Sequence, residues 1–284
     1  MRNLIRFFLL LFIGQFVFAG NNVEVPDFAL MNRLQDIPWI AAPTLDQLNA
    51  IDEALVCKTT TVQIKGLEAV VLLHLASVLP KVRTTAESAN PQVRTLASTI
   101  VDAFSSDRDP VRYLYDLFRS GNMDPIITTA IVDIIVFDQV KGLRSGQNLK
   151  VSVESLPLNG FHKLVLAHAA MPQDQAIDSL LGKLAAIKNG VTIADYDVLS
   201  ALESYGDSCI EPTIRKLSVN SDLNTYAQSM LMQAIMQRSS AIPLKSIPVL
   251  RKKLIEMKKH SKPPVLSDIN ALQVKLNQLE SERQ

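Results

Sequence analysis

Imidazole chemistry has four candidates in this chain, His74, His162, His168 and His260. A Ser or Cys nucleophile needs such a base within hydrogen-bond reach. None of the four sits in a diagnostic context, and no Ser lies at the centre of a Gly-x-Ser-x-Gly run. His74 falls in the apolar stretch from Val70 to Leu79, so it reads as a satisfied core or groove histidine. His162 and His168 are six residues apart. On one helix they point about 120° from each other, and no His-Glu-x-x-His element accompanies them, so a metal site is not expected. Neither a dinucleotide fingerprint nor a Walker element appears, and no cofactor is expected. Cys57 and Cys209 are the only two cysteines, too few for a disulfide framework or a multi-Cys zinc site.

The densest charge feature is Arg251, Lys252, Lys253, Lys258, Lys259 and Lys262. At helical spacing these leave Val249, Leu250, Leu254 and Met257 for burial, so the cluster reads as a solvated face of a terminal helix. Binding to anionic lipid or another polyanion is the functional alternative. Glu203-Ser204 is similar to the start of the catalytic motif of lytic transglycosylases. The same dipeptide recurs at Glu87-Ser88, Glu154-Ser155 and Glu280-Ser281, and the Gly-rich, Gln-containing motif that should follow is missing. A solvated helix end is the simpler reading.

The elements that must carry these residues begin after a leader. Arg2 and Arg6 precede an apolar run from Phe7 to Phe18, and Ala19 and Gly20 follow, the order of a secretory signal cleaved after Ala19. The run is short of the roughly 20 residues that span a bilayer, which leaves an uncleaved anchor as the alternative. Residues 1–19 are therefore set aside as a signal peptide, and residues 20–43 as an N-terminal extension. Removing Arg2 and Arg6 from the 29 basic residues leaves 27 against 28 acidic ones. That balance, with Trp39 the single tryptophan, disfavours nucleic acid as a partner.

Helical periodicity dominates the rest. Asn90 with Pro91, Asp109 with Pro110 and Asp124 with Pro125 pair a capping side chain with a proline suited to the first helical position. Behind them run Val93, Leu96, Ala97 and Ile100; Val111, Leu114 and Leu117; and Ile127, Ala130, Ile131 and Ile134. Thr44 with Gln47 reads as a capping box. Gly121, Gly190 and Gly206 fall where helices should end. Between Val140 and Glu154 the pattern lapses into Gly142, Ser145, Gly146 and Asn148, then Leu149, Val151 and Val153 alternate, as in a surface loop or a short hairpin. This is the expected insertion in the array, and an enzymatic alternative would place its site there or at His74.

A shift of 130 residues places Val93, Leu96, Ala97, Ile100 and Val101 on Leu223, Tyr226, Ala227, Met230 and Leu231. That equals three units of about 43 residues, a length typical of two-helix repeats. Residues 201–234, with Ala201-Leu202, the turn Gly206-Asp207, then Ile210, Ile214 and Leu217, then Ser221-Asp222 and a second helix, resemble a HEAT repeat. Residues 90–97 resemble the opening of that second helix. The resemblance implies an all-α fold, an α-solenoid of about five stacked helix pairs over residues 44–262. It also places the second helices on a concave binding face, which makes Arg94, Thr95, Asn224 and Gln228 the guesses for partner contact.

Stacked pairs keep contacts local, so cysteines 152 positions apart are expected to stay unbonded to each other. Past Pro263 and Pro264, the tail 263–284 carries Val265, Ile269, Leu272, Leu276 and Leu279 at steps of four and three. It is an amphipathic helix that either caps the last repeat or pairs with a second copy as a weak homodimer. The expected function is that of an exported, non-catalytic binding or scaffold protein, periplasmic in a bacterium, with a protein or envelope component as partner.

Overall fold

Three Asx-Pro pairs open three helices as their chemistry dictates. The side chains of Asn90, Asp109 and Asp124 each accept from backbone N–H groups of the first turn, and the proline occupies a position whose N–H would have had no partner. Thr44 and Gln47 form the reciprocal capping box. Gly121, with φ of 77°, ends a helix in the left-handed region that side chains disfavour. The computed structural model describes residues 27–40, 42–88, 90–121, 123–147, 151–219, 223–261 and 265–282. The signal peptide expected over 1–19, the first part of the extension, the turn Ser221-Asp222, and Asn148, Leu149, Lys262, Pro263 and Pro264 lie outside them.

The fold is all-α: among the described residues there are fourteen α-helices and no strand. The chain divides into two compact units, Met1–Pro157 and Leu158–Gln284.

In the first unit, α1 is Phe28–Leu34, α2 Leu45–Val56, α3 Thr60–Leu72, α4 Leu79–Thr85, α5 Pro91–Ser105, α6 Pro110–Ser120 and α7 Pro125–Arg144. A helix apolar on all sides must be surrounded. That is the case for α3, which buries a continuous run from Gly66 to Leu72 and packs against α1, α2, α5 and α7. Its approach to α2 is close enough that a Cβ on Gly66 would lie 2.9 Å from the Ala54 Cβ. The α3–α7 contact spans the three helices α4, α5 and α6 that intervene in sequence.

The second unit contains α8 Gly160–Ala169, α9 Gln173–Ala185, α10 Ile193–Glu203, α11 Ile210–Val219, α12 Thr225–Gln237, α13 Ile247–Lys258 and α14 Val265–Glu282. Here α9 packs on α10, α11 on α12 and α13 on α14. First helices touch the next first helix, α9 to α11 to α13, and second helices do the same, α10 to α12 to α14. Each pair buries its apolar face on its neighbours, the arrangement that gives repeat arrays their stability. Within residues 201–234, Ile210, Ile214 and Leu217 are buried on α11, and Ala227, Met230 and Leu231 on α12. The tail seam Val265, Ile269, Leu272, Leu276 and Leu279 is buried as α14 docks on α12 and α13.

Two expectations need correction. The segment from Val140 does not lapse at once: α7 runs to Arg144, because Gly142 is tolerated inside a helix whose end is fixed by Gly146 at φ of 75°. The remaining described residues form a loop, not a hairpin, with Val151 and Leu156 buried. His74 is exposed rather than in the core or a groove. It sits in the left-handed region, φ 51°, where its N–H donates to the Val71 carbonyl and Leu75 N–H donates to the Val70 carbonyl. This is a Schellman stop to α3, with a histidine where glycine is usual.

Candidate functional site

The second helices of the second unit meet along a polar seam. Tyr196 comes from α10, Ser229 and Gln233 from α12, and Asp268 from the first turn of α14. The Ser229 hydroxyl donates to the Asp268 carboxylate at 2.5 Å, and Gln233 Nε2 donates to the Ser229 hydroxyl oxygen at 3.4 Å. Burial raises the Asp268 carboxyl above its ordinary range, and the Ser229 hydrogen bond opposes it. The Tyr196 phenol is also held above its ordinary value, first by burial and then by Asp268 and Asp195. Tyr196, Gln233 and Asp268 are each partly open to solvent. The seam therefore offers one carboxyl, one phenol and one amide, carried by three successive second helices. Groups of this kind can hydrogen-bond a polar ligand.

Sequence reasoning missed these residues because they are isolated polar positions within apolar runs, with no spacing that marks them as a group. Its own guesses for the second helices land elsewhere. Asn224 caps α12 by accepting from Ala227 N–H at 3.0 Å, and its amide donates to the Ile187 carbonyl. Gln228 Nε2 donates to the Leu223 carbonyl at 2.8 Å. Both side chains are thus engaged in starting α12. Arg94 and Thr95 are exposed on α5 of the first unit, Arg94 donating to the Ser88 carbonyl and Thr95 to the Pro91 carbonyl.

In the first unit an ionic cluster ties α3 to α7. Lys65 Nζ lies 2.6 Å from Glu68 Oε2 and 3.0 Å from Asp133 Oδ2. Glu68 is 3% exposed. Burial pushes its carboxyl up to about 7, Lys65 opposes that shift, and Asp133 adds to it. Burial works against the Lys65 ammonium as well, but the two carboxylates outweigh it and hold its pKa above the ordinary value. Nearby, Lys141 Nζ donates at 2.7 Å to the carbonyl of Leu72, at the end of α3. The Arg144 guanidinium lies 5.3 Å from the centre of the Trp39 ring. Perturbed carboxyls mark catalytic sites and structural ion networks alike. Here Lys65–Asp133, Lys141–Leu72 and Arg144–Trp39 join α3 or the Trp39 turn to α7, and Lys65–Glu68 lies within α3, which is the signature of a tie.

His162 and His168 are buried in the second unit, whereas His260 is exposed just past α13. His168 Nδ1 is 2.8 Å from the Leu164 carbonyl, so it carries the proton, and Nε2 accepts from the Ser179 hydroxyl at 3.1 Å. Both ring nitrogens are satisfied and α8 is joined to α9. His162 lies near Asp197, whose carboxyl is raised by burial and lowered by the imidazole. Among the described residues no group of three or more His, Cys, Asp or Glu is placed to hold a metal ion.

Cys57 and Cys209 are both free. Cys209 is buried, and that burial pushes its thiol up to about 12, far from the thiolate chemistry of a nucleophile. Glu203 and Ser204 close α10: the Ser204 hydroxyl donates to the Ala201 carbonyl, and Arg238 Nη2 donates at 3.1 Å to the Glu203 carbonyl.

The basic cluster does not form one solvated face. Arg251 Nη2 reaches Glu280 Oε2 at 2.7 Å and Asn277 Oδ1 at 2.6 Å, and Lys258 Nζ reaches Asn270 Oδ1 at 3.1 Å, all on α14. Two of the six basic residues therefore fasten the last helix. Lys252 and Lys259 are exposed and Lys253 half-buried, and Lys262 lies outside the described residues. No described helix is long and apolar enough to cross a membrane. In comparisons with known proteins, no family model, curated protein or solved structure matches the chain.

Proposed function

We propose that the protein is an exported, non-catalytic binding or scaffold module, and that α9–α14 form a HEAT-like array whose second-helix side engages a protein or envelope partner. The observation that carries this reading is the layering of the second unit. First helices follow first helices and second helices follow second helices, with α11 and α12 forming one helix pair of that series. Layered pairs give a ligand a continuous surface longer than any single helix pair could offer. The polar seam from Tyr196 to Asp268 supplies hydrogen-bonding groups along it. Export follows from the leader pattern in residues 1–20, and the periplasm is its destination in a bacterium.

The test is photo-crosslinking in intact cells, with a photoreactive phenylalanine analogue at Tyr196 on the second-helix side and, as a control, at exposed Arg215 on α11. The reading expects one discrete adduct from position 196 and none from position 215. Equal capture from both positions, or none from 196, contradicts it. N-terminal sequencing of the same material should begin at Gly20; a chain that keeps Arg2 and Arg6 would overturn cleavage after Ala19.

A further inference from the structure

The outer face of α13 mixes charge and apolar surface in a way that a purely solvated helix does not need. Val249 is 53% exposed and Ile255 55%, although both are large aliphatic residues. At about 100° per residue, Lys252 and Lys259 lie between the directions of Val249 and Ile255, all four within roughly a third of the helix circumference. Lys253 borders the same arc. The opposite side carries Ile247, Leu250, Leu254 and Met257 into the core, and Arg251 and Lys258 are turned toward α14. Among the described residues no ion pair engages Lys252, Lys253 or Lys259. Lys245, just before the helix, is paired with Glu211, and Glu256 is the one acid on the exposed face. Leu244, in the turn before α13, is also exposed.

We propose that this face docks α13 in the plane of an anionic lipid surface, with Lys252, Lys253 and Lys259 against lipid phosphates and Val249 and Ile255 entering the boundary between head groups and acyl chains. Charge complementarity selects an anionic surface. The exposed aliphatic pair selects lipid over a soluble polyanion, because a sugar or nucleic-acid chain offers no apolar layer to receive it. The docking is shallow and reversible, since only two large aliphatic side chains and three lysines take part. It stands apart from the second-helix seam, so either proposal can fail alone.

The experiment is sedimentation of the full chain with vesicles of phosphatidylcholine alone or with phosphatidylglycerol, at low and high salt, alongside binding to heparin. Binding should require phosphatidylglycerol and be lost at 0.5 M salt, as expected for contacts screened beyond a few ångströms. Lys252→Glu with Lys259→Glu should weaken it at least tenfold. Val249→Ser with Ile255→Ser should weaken vesicle binding about threefold while leaving heparin binding unchanged. Arg251→Ala, which touches only α14, should leave vesicle binding as it was. Binding that survives the charge reversal, binding equal on neutral vesicles, or no vesicle binding at all overturns the proposal. Vesicle binding indifferent to the serine pair overturns it in favour of a soluble polyanion. Cooperative thermal unfolding by circular dichroism, unchanged in the Lys and aliphatic variants and lowered in Arg251→Ala only by the small loss of its exposed ion pair, establishes that these outcomes report the surface and not the fold.

Discussion

The two units use the same helical material in different ways. In the first, α3 is enclosed by α1, α2, α5 and α7, and a half-buried cation on α3 reaches across to Asp133 on α7. In the second, each helix leans on the next of its kind, and the last, α14, is fastened to α13 from its own side chains. Enclosure makes every helix depend on the centre, so that unit should open as a whole. Layering makes each pair depend on its neighbours, so opening can start at an end. The difference teaches that layering sets successive second helices side by side, while enclosure draws a charged group, Glu68, into the packing.

Cutting into each packing mode should separate them. Leu272→Ala removes a fully buried side chain from α14 and is expected to cost about 4 kcal/mol in urea unfolding of the second unit. The transition assigned to the first unit should stay where it is. Lys65→Met strands Glu68 beside Asp133 and should cost about 3 kcal/mol at pH 8, near the low end for a broken buried pair because Lys65 is partly open to water.

The acid partner gives the native cluster a pH signature. The folded pKa of Glu68 is raised above its unfolded value, so its contribution is fully present below the unfolded value near 4.5 and is lost as pH climbs toward about 7. Glu68→Gln should flatten the stability of the first unit over that window, and an unchanged slope would show that the carboxyl is not desolvated as described.

Smaller effects sharpen the contrast in the second unit. A Cβ on Gly160 would fall 2.1 Å from Asp197 Oδ2, so Gly160→Ala should cost about 2 kcal/mol, and Asp197→Ala in the same chain should recover most of it. Failure of that rescue in a double-mutant cycle would place the strain elsewhere. Arg251→Ala breaks a pair whose side chains are more than a third exposed and should cost less than about 1 kcal/mol in the same assay.

What the sequence revealed was local. Asn90, Asp109, Asp124 and Thr44 announce their helices because cap, proline and first apolar residue lie within a few positions of one another. The buried seam of α14 was visible as a periodicity, though not which helices would cover it. What escaped was decided over distance. Lys65 and Glu68 look like ordinary solvent-facing charges until α7 arrives 68 residues later with Asp133. Asp268 and Ser229 are 39 residues apart and share no motif.

His74 misled for a different reason. Its apolar neighbours suggested burial, but its backbone position at the end of α3 turned it outward. The basic cluster could be counted from the sequence, yet its division into lysines facing outward and side chains gripping α14 depends on where the tail returns.

Layering in the second unit is the claim on which the proposed binding surface rests, and native-state hydrogen exchange on the full chain with Leu272→Ala tests it most directly. Protection should fall most in α14 and α13, less in α12 and α11, and least in α9 and α10, with α3 and α7 unaffected. A uniform loss across α8–α14 would show one undivided cooperative core and contradict the account.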